Sequence, residues 1–356
     1  MLAALLVGVL LLPGTVTHTD PWLAGAVLAG AAVLDLVLLL LLPRLGLSFG
    51  WIQPPWLMFA SGRSAVAALL GLVPLGAAGE LALLVGSQAL LTLLALYGSL
   101  VEPFWIRHTR ITVPMAGLAA SLRLLLLTDL HVERLTRREL SALDAVEREK
   151  PDLIVVVGDL LNLSFVGEPR AMEEVRRFLR RLDAPAGVLY VRGTVDVDPP
   201  RVVERILDGV DRVHALENEV VTVQHGGATL DVVGIPADAP HAELCRRLER
   251  LAGQARPAAL CLHHTPDLIE AAARTGRVGL YLAGHTHGGQ ICFPLLGPVA
   301  TASRFGRRYV AGLFELNNRT LGYVSKGLGL EGLGAPRIRF LARPELVWIT
   351  LESASC

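Results

Sequence analysis

The stretch "LRLLLLTDLH", residues 122–131, is an apolar run of strand length that ends in Asp129 and His131. A short unbroken apolar run closed by polar residues reads as a strand buried on both faces. The next segment, "TRRELSALDAVEREK" (136–150), has helical periodicity, with Thr136 and Glu139 at capping-box spacing at its start. "DLIVVVGD" (152–159) is a second buried strand, "EPRAMEEVRRFLRRL" (168–182) a second amphipathic helix, and "GVLYVRG" (187–193) a third strand. This alternation predicts α/β layering with a largely parallel sheet. Residues 219–234 read as a hairpin turning at His225-Gly226-Gly227. A helix is expected near 240–253, a strand near 258–262, a helix near 267–274 and a strand near 278–283. A strand pair with an Asn-rich turn is expected within residues 307–327.

Polar residues gather at the carboxyl ends of these strands: Asp129 and His131, Asp159, Thr194 and Asp196, His263 and His264, His285 and His287. Ligand sites in open α/β sheets lie beyond those ends. Alone, an Asp there is more often a helix N-cap, and a lone His a satisfied loop or core residue. Five strands delivering Asp and His to one edge are harder to explain that way. In an extended segment Asp-x-His and His-x-His place both side chains on one side. These carboxylates and histidines form a mixed oxygen and nitrogen set that suits Mn, Fe or Zn. The glycines beside Asp159, His285 and His287 are expected to let the backbone approach the metals. His263, next to His264 on one strand, is expected to face away.

The first hundred residues are different. Apolar stretches cover roughly 2–16, 22–43, 56–77 and 80–101, and a spanning helix needs about 20 such residues. Four spans are expected, with mid-span Asp35 in a helix–helix hydrogen bond, either protonated or paired with Arg63. They put Arg44, Arg63, Arg107, Arg110 and Arg123 on one side, so the N-terminus and the C-terminal half are both expected in the cytoplasm. The organisation expected is a transmembrane region over 1–101, a connector over 102–120 and a catalytic domain over 121–356. The formal net charge of zero excludes the basic field that bulk nucleic-acid binding needs. Cys245, Cys261, Cys292 and Cys356 form no CxxC pair and no metal-ligand spacing, which points to isolated thiols rather than a disulfide framework.

Taken together, "TDLH", "VGDL", "RGTVD", "LHHTPD" and "GHTHGGQ" resemble the calcineurin-like metallophosphoesterase family. "HTPD", "GHTHGGQ" and "YVSKGLGLEGLG" look most like its bacterial membrane-attached phosphodiesterase branch. The resemblance covers about residues 121–351. It implies a metallophosphoesterase-type β-sandwich flanked by helices, here behind an all-α transmembrane bundle. It implies a metal-dependent phosphoesterase with two divalent ions, Mn, Fe or Zn, manganese foremost in vitro. Asp129, His131 and His287 would hold one ion, His264 and His285 the other, and Asp159 would bridge them. The reaction implied is attack of metal-bound hydroxide on a phosphodiester or pyrophosphate. A multi-pass anchor in the cell membrane suggests a lipid-linked or nucleotide substrate.

One block departs from the family pattern. The family's Asn, a ligand of the second metal, is Thr194, and its His, a contact or proton donor to the leaving group, is Val195. Thr194 is retained as a candidate ligand and His263 as a substitute proton donor. The departure motivates a second reading, a metal- or phosphate-binding sensor with weak or no turnover. A third reading places the function in the membrane spans and rests on Asp35 and Arg63 alone.

Overall fold

The computed structural model describes residues 18–317, 320–331 and 337–353. The first apolar stretch, 2–16, lies outside the described residues. The chain divides into two compact units, one of residues 1–101 and 332–338, the other of residues 102–331 and 339–356.

The first unit holds helices α1 (Pro21–Arg44), α2 (Gln53–Leu70) and α3 (Ala77–Leu100). Asp20 caps α1 by accepting from the Trp22 amide. Two stretches, Pro21–Arg44 and Ala77–Phe104, are long and apolar enough to cross a membrane. The 18-residue α2, expected as the third span, is not among them and carries buried Arg63. Polarity in this unit is inverted relative to a water-soluble bundle. Leu34, Leu72, Leu90 and Leu93 point outward, while Asp35, Arg63 and Gln88 are buried. Of the two alternatives for Asp35, the pairing is present: Arg63 Nε and Nη2 donate to its two oxygens at 2.7 Å each. The guanidinium also donates to the Gln88 carbonyl at 2.9 Å and Thr92 Oγ1 at 3.0 Å. Arg337 belongs to this unit, donating to Ser48 Oγ and the Gly50 carbonyl.

The second unit contains two mixed six-stranded sheets. One consists of β1 (Arg107–Met115), β2 (Leu122–Thr128), β3 (Leu153–Val157), β4 (Val188–Val191), β5 (Val213–Ala215) and β14 (Glu345–Ser353), in the order β1-β14-β2-β3-β4-β5. Strands β2 to β5 are parallel, and β14 runs antiparallel to β2. The other consists of β6 (Glu219–His225), β7 (Ala228–Ile235), β8 (Ala259–His263), β9 (Val278–Ala283), β12 (Gly312–Asn317) and β13 (Thr320–Val324), in the order β12-β13-β9-β8-β7-β6. Its four inner strands are parallel and its edge strands antiparallel. The hairpin expected over 219–234 forms as β6–β7 and the strand pair expected within 307–327 as β12–β13, which gives the second sheet its antiparallel edges; the antiparallel terminal strand β14 had no counterpart in the sequence expectation.

The period-two alternation of side chains sets the layers. Leu124, Leu126, Val155 and Val157 pack against the second sheet, on Val232, Leu260, Leu262, Leu280 and Leu282. Leu125, Leu127, Ile154 and Val156 face the other way, onto α4 (Arg137–Glu149) and α5 (Pro169–Arg180). The outer face of the second sheet is covered by α7 (His241–Gln254) and α8 (Ile269–Thr275), following the short α6 (Pro200–Leu207) in the chain. The result is the α/β arrangement that the resemblance implied, a β-sandwich between two helical layers. The Thr136–Glu139 capping box forms at the start of α4, a device worth about 1 kcal/mol. The segment expected as a connector over 102–120 contains β1, an edge strand paired in parallel with Glu345–Ser353.

Candidate functional site

Strands β2, β3, β8 and β9 deliver their terminal Asp and His residues to one place. Asp129, His131 and His287 offer ligand atoms within 4.8 Å of one another, and so do Asp159, His264 and His285. The two groups meet at Asp159. Its Oδ2 is 3.1 Å from His264 Nε2 and 3.6 Å from His131 Nε2. Asp129, His131 and His264 are fully buried and Asp159 nearly so.

The backbone reaches this arrangement by a different route from the one the spacing suggests. Asp129, His131, Asp159, His285 and His287 have φ between 41° and 70°, so these motifs are left-handed turns rather than extended segments. Such φ values cost a non-glycine residue on the order of 1–2 kcal/mol each. Hydrogen bonds between the loops hold them: His131 N to the Asp159 carbonyl at 3.0 Å, and His285 N to Asp129 Oδ1 at 2.8 Å. Two glycines are required by the packing of the ligand carboxylates. A Cβ on Gly193 would collide with the Asp159 carboxylate, and one on Gly284 with the Asp129 carboxylate. They admit the ligand side chains into the packed loops.

The donor set fits metal ions on three counts. Asp129 Oδ2 is buried with no hydrogen-bond partner, which is costly unless a cation completes it. The ring nitrogens converge in pairs, His131 Nε2 with His287 Nε2 at 3.0 Å and His264 Nε2 with His285 Nδ1 at 3.2 Å. Two nitrogens bound to one ion at about 2.1 Å and near a right angle would be about 3.0 Å apart. Finally, the opposite nitrogens of three rings face carbonyls: His131 Nδ1 at Leu161, His264 Nδ1 at Val157 and His285 Nε2 at Ala302. An N–H donated there leaves a lone pair facing the cluster, the usual outer support of a metal-bound imidazole.

The electrostatics follow from burial and proximity. Burial alone would raise the Asp159 carboxyl, but the neighbouring His264 and His131 hold it well below the usual carboxylate range. Burial would lower His264, but Asp159 and Asp129 push it up to about 10. Burial and the neighbouring rings lower His285 and His287. The two carboxylates thus favour a positive charge at His264, the same electrostatic preference that would draw a cation to its Nε2.

Thr194 lies beside the second group, but its amide and its hydroxyl both donate to Asp159 Oδ1, at 2.9 and 3.1 Å. Val195 is exposed. His263 is not brought to the cluster. It is fully buried, its Nδ1 lies 2.7 Å from the Ile235 carbonyl and its Nε2 3.2 Å from Thr265 Oγ1. Both nitrogens are engaged elsewhere because neighbours on β8 face opposite ways. Burial lowers its pKa to about 4, so the structure does not support it as proton donor.

Sequence reading missed three residues. Asp198, buried, accepts from the Leu160 and Gly193 amides and from the Tyr190 hydroxyl, tying the Asp159 loop to the Thr194 loop. Buried Arg339 donates to the carbonyls of Ala342, Lys326 and Gly329, and its Nη2 is 3.3 Å from His287 Nδ1. Glu331 joins His131 and Asp159 in a third group with metal-ligand spacing. Each is a single charged residue in a loop; Glu331 lies within the quoted stretch "YVSKGLGLEGLG", but nothing in that stretch marks it as a ligand.

The family model for calcineurin-like phosphoesterases matches residues 122–289. The phosphodiesterase YaeI of Escherichia coli is 32% identical over 264 residues, covering 70% of this chain and 90% of that protein. The metallophosphoesterase YkuE of Bacillus subtilis is 29% identical over 273 residues, covering 73% of this chain and 90% of that one. A Danio rerio transmembrane protein with a metallophosphoesterase domain is 25% identical, over 73% of this chain and 61% of its own length.

Proposed function

The chain belongs to the calcineurin-like phosphoesterase family and is a metal-dependent phosphoesterase, and from that premise we propose a membrane-anchored two-metal phosphodiesterase acting on a lipid-linked phosphodiester or pyrophosphate. The observation that carries the two-metal reading is Asp159 Oδ2, set between the His131 and His264 rings and shared by both ligand groups. In this reading Asp129, His131 and His287 hold the first ion, His264 and His285 the second, and Asp159 bridges. Two divalent ions there would lower the pKa of water and clamp the phosphoryl oxygens for in-line displacement. Thr194 orients the bridging carboxylate through its two hydrogen bonds. Manganese is the ion proposed for activity in vitro.

The apolar exterior of α1 and α3, around a polar interior, supports the anchor. The arginine distribution supports a multi-pass arrangement with the phosphoesterase domain in the cytoplasm. Support for a lipid-linked substrate comes from the hairpin β10 (Cys292–Phe293) and β11 (Gly297–Pro298), which follows His287 directly. Phe293, Leu295, Leu296 and Val299 are exposed on it. Pro298 packs on Gly289, and the Ala302 carbonyl beyond the hairpin lies 3.1 Å from His285 Nε2. An apolar edge beside the ligand cluster suits an acyl or prenyl chain.

The test is hydrolysis of an aryl phosphodiester by the full chain in detergent. Truncation at residue 118 would remove β1 and uncover β14. Turnover is expected to vanish on chelation and return with Mn²⁺. Turnover that survives exhaustive chelation would refute the metal mechanism. For the lipid substrate, the double change Leu295→Asp and Leu296→Asp is expected to lower turnover of a vesicle-embedded phosphodiester roughly tenfold or more. Its effect on the soluble aryl substrate should be far smaller, and equal losses on both would count against the lipid reading.

A further inference from the structure

We propose that Glu331 is an additional carboxylate ligand of the first metal, an inference that rests on the two-metal reading above. Its Oε2 lies 3.7 Å from His131 Nε2, a spacing close to that of the Asp129 and His287 pair, 3.7 Å between Oδ1 and Nε2. Glu331, His131 and Asp159 form a ligand group by the same distance measure as the two groups already described.

The chain leading to Glu331 is fastened to the ligand loops at consecutive points. Leu328 N donates to the Thr128 carbonyl at 2.9 Å and Gly329 N to the Asp129 carbonyl at 2.6 Å. Asn162 Nδ2 donates to the Leu330 carbonyl at 2.9 Å, and Glu331 N to Gln290 Oε1 at 3.0 Å. A Cβ on Gly329 would collide with the Leu130 carbonyl, so the segment lies directly on the Asp129–His131 loop. The backbone of Glu331 is therefore positioned from both sides, by Asn162 and by Gln290. Its side chain is 32% exposed, against 0% for His131, which places the carboxylate at the mouth of the cluster. There it can close on an ion without entering the packed interior.

The chemistry is unequal at the two positions. The second group has Thr194 where an amide oxygen would be a stronger ligand, and that hydroxyl already donates to Asp159. The first group would gain an anionic oxygen from Glu331. A further carboxylate favours hard ions such as Mn²⁺ and strengthens the first site relative to the second. Metal loading should then be sequential, the first ion tight and the second weaker.

The experiment measures Mn²⁺ stoichiometry and affinity by calorimetry on chelated full-length protein in detergent. The unchanged chain, Glu331→Gln, Glu331→Asp and Asp159→Asn are compared, each checked by thermal unfolding without metal. The unchanged chain should bind two ions with separated affinities. Glu331→Gln should weaken the tighter step by roughly tenfold or more while its metal-free unfolding temperature stays unchanged, and Glu331→Asp should recover part of the loss. Unaltered affinity in Glu331→Gln overturns the proposal. If Asp159→Asn loses metal while Glu331→Gln does not, Glu331 alone is refuted. If the unchanged chain binds fewer than two ions, the two-metal reading fails and this inference with it.

Discussion

Replacing Asp159 with Asn is expected to reduce Mn²⁺-dependent hydrolysis by about 10⁴-fold or more. The two carboxylate oxygens have separate tasks. Oδ1 accepts from the Thr194 amide and hydroxyl, and Oδ2 faces His264 and His131. An Asn carboxamide can keep one task only. If its oxygen meets Thr194, its NH₂ points into the cluster, where it repels an ion. If its oxygen faces the cluster, the NH₂ opposes the Thr194 N–H. Either orientation removes the anion the two ligand groups share. Bound metal should therefore fall together with turnover, and the stabilisation that Mn²⁺ gives against heat should shrink. Unchanged metal content with turnover lost would assign Asp159 to the chemical step instead. Unchanged turnover would remove the basis for the two-metal mechanism.

The parts of the fold that were legible are those where local chemistry agrees with the tertiary answer. β2 and β3 are unbroken apolar runs because both faces are buried, and α4 carries its own capping box. Strands β1 and β14 were not anticipated. β1 is largely exposed and contains Pro114, so it has no buried run, and its partner lies more than 200 residues away. Pairing over such a separation leaves no mark in either segment alone. The ligands were legible as residue types at strand ends. Their geometry was not, because left-handed turns at Asp129, His131 and Asp159 depend on contacts between loops. Likewise, nothing near Glu331 or Arg339 in sequence reveals that both reach the Asp129–His131 and His287 loops.

Substituting Thr194→Asn and Val195→His together is expected to raise hydrolysis of phosphodiesters with poor leaving groups by about 10²–10⁴-fold, the usual worth of a positioned general acid. Activated aryl esters should gain much less, since their leaving groups need no proton. Space and position favour the change. Val195 is 43% exposed, so an imidazole there displaces no core packing. Thr194 N already donates to Asp159 Oδ1, so the backbone that would present Asn is in register with the bridging carboxylate. An Asn side chain reaches further than a threonine hydroxyl and offers an oxygen to the group of His264 and His285. Activity that appears only in the double variant would mean that the natural chain binds metal and phosphate without efficient turnover, the sensor reading. A natural chain that already cleaves poor leaving groups, with no gain on substitution, would mean that its proton comes from outside this block, from the substrate or from another residue at the mouth of the cluster. With His263 sealed between Ile235 and Thr265, the choice between these outcomes falls on the leaving-group dependence alone, and a series of aryl phosphodiesters of graded phenol acidity measures it directly.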